Sequence, residues 1–170
     1  MARTALVAYG TRNGSTAEIA RFIGSVLRDE GLRVDVRPAA EVGDVGPYDV
    51  VVLGGALYAG RWHRDARRFA RRHRHALAER RVWLFSSGPL DPSASEREIA
   101  PVPGARRAER RLGAEEHATF GGRLQEGARG RIARMILEQG RGGDFRDFHR
   151  IAEWAERIAA DLVAIEPERW

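Results

Sequence analysis

The chain alternates between short apolar runs and stripes of helical spacing. Thr4-Ala5-Leu6-Val7-Ala8-Tyr9 is apolar almost throughout and stops at Gly10, the pattern of a strand buried on both faces. Ile19, Phe22, Ile23, Val26 and Leu27 then recur three and four residues apart, which predicts a helix with one apolar face. Gly31 stands where a left-handed cap would end it. Leu32, Val34 and Val36 alternate with Arg33, Asp35 and Arg37, as in a half-exposed edge strand, and Pro38 closes that run. Asp49-Val50-Val51-Val52-Leu53 is a second buried strand, ended by Gly54-Gly55. Ala66, Phe69, Ala70, His73 and Leu77 mark one helix, and Val82-Trp83-Leu84-Phe85 the next strand. Three prolines between Asp91 and Pro103 predict loop, followed by a short basic helix from Ala105 to Leu112. His117-Ala118-Thr119-Phe120 reads as a last strand, ending in Gly121-Gly122. Ile132, Met135 and Ile136 give a brief helical pattern, and Asp147 stands where a cap belongs. The stripe Ile151, Trp154, Ala155, Ile158 and Leu162 forms the final helix.

Five strands separated by helices imply parallel pairing through right-handed crossovers, with helices on both sheet faces. The expected fold is α/β, a doubly wound five-stranded parallel sheet. An edge strand second in sequence, flanked by buried strands first and third, suits the order 2-1-3-4-5. No repeat or boundary interrupts the pattern, so residues 1–170 read as a single domain. Ligands of such sheets lie beyond the carboxyl ends of the strands, near the switch point, which selects the loops 10–16, 54–63 and 86–91.

The first of these loops carries the chemistry. Thr11, Asn13, Ser15 and Thr16 place hydroxyl and amide donors around Gly14, just where a helix begins. The helix adds unpaired N–H groups and roughly +0.5 of dipole charge at its start. A phosphate monoester of about −1.5 to −2 charge suits that ring of donors. Capping alone would need one such residue; four around a glycine, at the end of a buried strand, favour a ligand. The GxxxxGK[ST] loop is excluded because the chain has no Lys, and no GxGxxG follows the first strand.

Thr11-Arg12-Asn13-Gly14-Ser15-Thr16 resembles the flavodoxin phosphate loop, T/S-x-T-G-x-T, with Asn13, still an amide donor, in place of the usual Thr. The resemblance implies a flavodoxin-like fold and FMN as cofactor. It implies that Ala56, Leu57, Tyr58, Ala59 and Gly60, with Ser86, Ser87, Gly88, Pro89 and Leu90, flank the isoalloxazine. Among flavodoxins the chain is most similar to the menaquinone-dependent protoporphyrinogen dehydrogenase family. The shared features are the phosphate loop, the Gly60-x-x-His63 turn before a basic helix, and the Gly122-x-Leu124 turn after the last strand. A basic segment before a Trp-containing final helix matches as well. The similarity implies a flavin-dependent oxidoreductase passing electrons from protoporphyrinogen, or a related reduced substrate, to a quinone or another acceptor. The family's longer aromatic insertion is not matched, since residues 125–143 are Gly- and Arg-rich and lack Tyr and Trp. The same loop also suits a non-catalytic electron carrier, or a biosynthetic reductase using FMN or a deazaflavin.

Composition narrows the chemistry further. With no cysteine, thiol catalysis and iron–sulfur clusters are excluded, so redox work falls to a bound cofactor. The net charge is +5 and every one of the 29 cations is Arg. Arg61, Arg64, Arg67, Arg68, Arg71, Arg72 and Arg74 crowd one stretch. A solvated face is the ordinary reading, but like charges one turn apart repel, so an anionic membrane surface, a carboxylated substrate or an acidic redox protein is the partner such a run suits. No nucleic-acid motif accompanies the charge, and nucleic acid is not an expected partner. His73 and His75, two apart on a helix, diverge and make no metal pair. Tyr58 is a candidate to stack on the flavin; Trp62, expected to begin the next helix, is a weaker one, and His63 is expected to cap or pack. No run has the apolar length to span a bilayer, and the N-terminus lacks a signal-peptide cleavage site. The expected location is cytoplasmic, with Arg129–Leu137 a candidate for peripheral contact with a membrane. No Ser/His/Asp or paired-carboxylate spacing names a catalytic residue.

Overall fold

The computed structural model describes residues 3–12, 14–88, 99–124, 143–144 and 146–164. Strand β1 (Thr4–Gly10) leads through a short loop to helix α1 (Ser15–Asp29), and strand β2 (Arg33–Pro38) follows. Strand β3 (Val50–Tyr58) turns into the two-residue strand β4 (Arg61–Trp62), then helices α2 (Arg64–Arg72) and α3 (Arg74–Ala78). Strand β5 (Arg81–Ser87), helix α4 (Pro103–Leu112) and strand β6 (Glu116–Phe120) come next. The pair β7 (Arg123–Leu124) and β8 (Gly143–Asp144) precedes the final helix α5 (Phe148–Ala164).

The five long strands pair in parallel in the order β2-β1-β3-β5-β6, the expected 2-1-3-4-5 once the short β4 is set aside. Strand alternation divides the core into two layers. Ala5, Val7, Val50, Val52, Trp83 and Phe85 point to one face, where Ile19, Ile23 and Leu27 of α1 and Trp154 and Ile158 of α5 cover them. Leu6, Ala8, Val51, Leu53, Val82 and Leu84 point to the other, beneath Phe69 of α2, Leu77 of α3 and Leu112 of α4. Every member of the predicted α5 stripe is buried.

Local signals in the sequence explain most of the element ends. Gly31 has φ +96°, and the N–H groups of Gly31 and Leu32 return to the carbonyls of Arg28 and Leu27, the double bond of a Schellman cap. Asp147 caps α5 by accepting from the Arg150 N–H at 3.1 Å.

Three expectations are corrected. Gly54-Gly55 does not end β3, which runs five residues past Leu53, through Ala56 and Leu57 to Tyr58. The glycines are there for rings. A Cβ on Gly54 would lie 1.9 Å from the Phe85 ring, and one on Gly55 would lie 2.4 Å from Trp62 Nε1. Trp62 therefore belongs to a hairpin strand and does not start the following helix. The single helix expected from Ala66 to Leu77 is two, parted at His73, which leaves helical geometry at ψ +15°. The helical pattern at Ile132–Ile136 and the loop from residue 89 to residue 98 lie outside the described residues.

Candidate functional site

The parallel register brings the three selected loops together. Gly10 pairs with Gly55, Gly55 with Ser86, and Ala56 with Ser87, so the chain leaves β1, β3 and β5 at one edge of the sheet. Beyond Gly10 the loop closes on itself, with the Gly14 N–H donating to Thr11 Oγ1 at 3.1 Å. That bond uses Thr11 as an acceptor and leaves its hydroxyl proton to donate elsewhere.

Gly14 occupies the N-cap of α1 with φ +85°, a left-handed conformation that favours glycine. It offers no side-chain cap. The first bond inside the helix runs from the Glu18 N–H to the Gly14 carbonyl at 3.2 Å. The N–H groups of Ser15, Thr16 and Ala17 thus find no acceptor among the described residues. Thr16 Oγ1 and Ser87 Oγ share a buried hydrogen bond of 2.8 Å, which ties the start of α1 to the end of β5. Only one of the two hydroxyls is the donor there, so the pair retains one proton for another partner.

The second loop is a tight hairpin. Tyr58 pairs with Arg61 and Leu57 with Trp62, across a turn in which both Ala59 (φ +51°) and Gly60 (φ +72°) are left-handed. Ala59 is the only described non-glycine residue with positive φ. Tyr58 is half-buried, and the Arg12 guanidinium carbon lies 5.0 Å from the centre of its ring, a cation–π contact joining the first loop to the second. Trp62 is not available for stacking, because it is 1% exposed and its Nε1–H donates to the Phe85 carbonyl at 3.3 Å. Gly88 completes the edge. A Cβ there would meet Leu57 at 2.5 Å, and its N–H donates to the Phe120 carbonyl at 3.0 Å. Thr11, Arg12, Gly14, Ser15 and Thr16 therefore adjoin Ala56–Gly60 and Ser86–Gly88, while Asn13, Pro89 and Leu90 lie outside the described residues.

Three further groups lie near this edge, and of their roles only the capping by His63 is expected from the sequence. His63 is the N-cap of α2, its Nδ1 accepting from the Asp65 N–H at 3.1 Å, and its ring fills the space a Cβ on Gly10 would need. Burial lowers its pKa, with Asp65 pulling the other way, and the cap bond itself requires an unprotonated Nδ1. His117 of β6 bonds Ser86 Oγ through Nε2 at 2.8 Å, and burial pushes its pKa down to about 4. Arg146, 6% exposed, pairs with Glu18 in the first turn of α1. The contacts of His117 and Arg146 join residues far apart in the chain and so leave no spacing signal.

The arrangement combines an uncapped helix N-terminus, a glycine opening onto free space and a half-buried aromatic ring across the loop. It can hold an anion on backbone N–H groups and a planar ring beside Tyr58. Those are the two ends of a flavin phosphate, and the residues present fit that group. No group of His, Asp or Glu suited to a metal ion occurs among the described residues.

Comparison with known proteins agrees in kind. Residues 6–139 match the flavodoxin domain model. The protoporphyrinogen IX dehydrogenase [quinone] of Escherichia coli strain K12 is 31% identical over 70 residues. That match takes in 40% of this chain and 39% of the relative, so the chain spans about two fifths of the length of the curated relatives it matches. Oxidised flavodoxin 2 of Bacillus cereus superposes over 93% of this chain and 99% of its own, with TM-score 0.63 and 18% identity. The Streptococcus flavodoxin (TIGR4) does so over 93% and 99%, with TM-score 0.60 and 22% identity. The rubredoxin oxygen:oxidoreductase of Desulfovibrio gigas gives TM-score 0.64 at 13% identity, over 95% of this chain and 36% of that one. With the family model covering most of its length, this chain belongs to the flavodoxin domain family, which implies a flavin as its cofactor.

Proposed function

We propose that the protein binds FMN and works as an oxidoreductase, taking electrons from protoporphyrinogen or a related reduced substrate and passing them to a quinone. The observation that carries the flavin part is the start of α1, where three N–H groups behind Gly14 find no partner among the described residues. Those groups and the Thr11 hydroxyl would hold the phosphate, and Arg12 adds a positive charge at the same loop. Tyr58, with the backbone of Ala56–Gly60 and Ser86–Gly88, would flank the isoalloxazine, which when bound supplies the hydride and electron chemistry. The chain's own part is to position the ring, exclude water and set the field around it. The substrate and acceptor rest on the partial similarity to the Escherichia coli dehydrogenase.

Two measurements test this. FMN should bind and colour the protein yellow, while riboflavin, lacking the phosphate, should bind at least about tenfold more weakly. Equal affinity for the two would remove the phosphate site. Incubation of the FMN-loaded protein with protoporphyrinogen and menaquinone without oxygen should produce porphyrin fluorescence. A blank result, with electrons still exchanged with partner proteins, would leave a carrier in place of an enzyme.

A further inference from the structure

Charge is divided unevenly between the two faces of the sheet. Helices α2, α3 and α4, which cover one face, carry ten arginines against two carboxylates. Helices α1 and α5, which cover the other, carry four arginines against five carboxylates. The basic face has a shaped feature at its centre. Arg67 and Arg71 stand one turn apart on α2, Arg107 and Arg111 one turn apart on α4, and the four line a groove of 150 Å³ floored by Ala70, Gly104 and Ala108. Arg67 and Arg107, joined by Arg61, also line a hollow of 460 Å³ that reaches Ala59 and Gly60, the turn beside the candidate flavin site.

The groove is built for anions. Arg67 Nε donates to the Trp62 carbonyl at 3.1 Å, which anchors that end of the guanidinium and leaves its terminal nitrogens to serve a ligand. Gly104 makes room for it, since a Cβ there would come within 3.2 Å of Arg67 Cδ. Arg61, Arg71, Arg107 and Arg111 are exposed and have no carboxylate partner among the described residues. Four cations facing one another across a narrow channel repel, and a set of carboxylates entering it would relieve that repulsion.

We propose that the α2–α4 groove is the docking surface for an acidic protein, whose Asp and Glu side chains enter between the two helices. A bilayer fits less well. Membrane-surface helices set apolar side chains beneath their cations, whereas the one large hydrophobic exposed among the described residues is Val163, on the opposite face. The groove is also concave, a shape that side chains fill and a flat headgroup layer does not. The placement beside Ala59–Gly60 sets the docked partner next to the flavin edge; that clause rests on the reading above, while the docking itself does not.

The experiment is a titration of the isotope-labelled full chain with a polyglutamate peptide of about 20 residues, followed by backbone amide shifts with and without FMN. Shifts should concentrate on α2, α4 and residues 59–61, and binding should weaken at least about tenfold when NaCl is raised to about 0.3 M. The double variant R71E/R111E should lose at least about tenfold in affinity. The variant R21E/R33E, which makes the same change in net charge at exposed positions away from the groove, should lose less than about threefold. Equal losses in the two variants, or shifts spread over both faces, would overturn the proposal. So would tighter binding to phosphatidylglycerol vesicles or duplex DNA than to the peptide at about 0.15 M salt. Circular dichroism of each variant guards against misfolding. The absence of yellow colour with FMN would sink the flavin reading alone and leave the amide shifts unaffected.

Discussion

Thr11 and Thr16 look equivalent in the sequence, as hydroxyls on either side of Gly14, and the fold makes them unequal. Thr16 is fully buried and its hydroxyl is engaged with Ser87, whereas Thr11 accepts from Gly14 and keeps its proton. Replacing Thr11 with Val should weaken FMN binding at least about tenfold, the worth of a hydrogen bond to a charged group. Thr16→Val should weaken it by less than about threefold and should show its effect in stability. It strands the buried Ser87 hydroxyl, which costs about 1–3 kcal/mol, and the double variant T16V/S87A should recover part of that loss in urea unfolding. His117 offers a pH test at the same scale. Its folded pKa of about 4 lies below the usual histidine value, so the unfolded chain binds the extra proton first as pH falls. Its contribution is complete above about pH 6.5 and is lost on descending to about pH 4, at up to about 1.4 kcal/mol per pH unit. Unfolding measured across that window should show a shallower slope in H117Q than in the parent; identical slopes would mean that His117 titrates normally in the fold.

At the scale of elements, β3 shows both what the apolar pattern reveals and what it hides. Val50–Leu53 reads plainly as a buried strand, but two glycines in a row also read as its end, because glycine is the commonest punctuation of a strand. The strand continues because Phe85 and Trp62 fill the space above Gly54 and Gly55, and those rings come from other segments. Gly54→Ala should therefore destabilise the protein by about 1–3 kcal/mol in urea unfolding, and F85L in the same chain should restore part of it by removing the ring. A neutral G54A would mean that the strand tolerates a side chain there. The candidate phosphate loop is legible because strand, donors, glycine and helix are contiguous in sequence. The left-handed turn at Ala59-Gly60 is not, since Ala is an unusual choice for φ +51° and gives no turn signal. The pairs Ser86–His117 and Glu18–Arg146 were beyond reach because tertiary packing alone brings them together.

At the scale of the whole molecule, charge and stability pull against each other. Arg64, Arg68 and Arg72 stand at one-turn intervals along α2, a second row of like charges beside the one that lines the groove. Each such pair costs about 0.2–0.5 kcal/mol in a helix, and opposite charges at the same spacing return a similar amount. Arg68→Glu turns the repulsions with Arg64, Arg71 and Arg72 into attractions and the attraction to Asp65 into a repulsion, a net change of two pairs, with Glu preceding Arg72 in the favourable orientation and adding negative charge nearer the helix start. It should stabilise the protein by about 0.5–1.5 kcal/mol at low ionic strength. Most of that gain should disappear at about 1 M NaCl, where the screening length falls to about 3 Å. Thermal unfolding at the two salt concentrations reads the difference directly. A gain that survives high salt would have to come from helix propensity or packing, and none at either salt would mean that the basic face is already relaxed by solvent. Because Arg68 lies outside the groove lined by Arg67, Arg71, Arg107 and Arg111, the variant separates the two consequences of the same charge excess. A protein that is more stable yet binds polyglutamate almost as tightly locates the docking in the groove and the cost in the face as a whole.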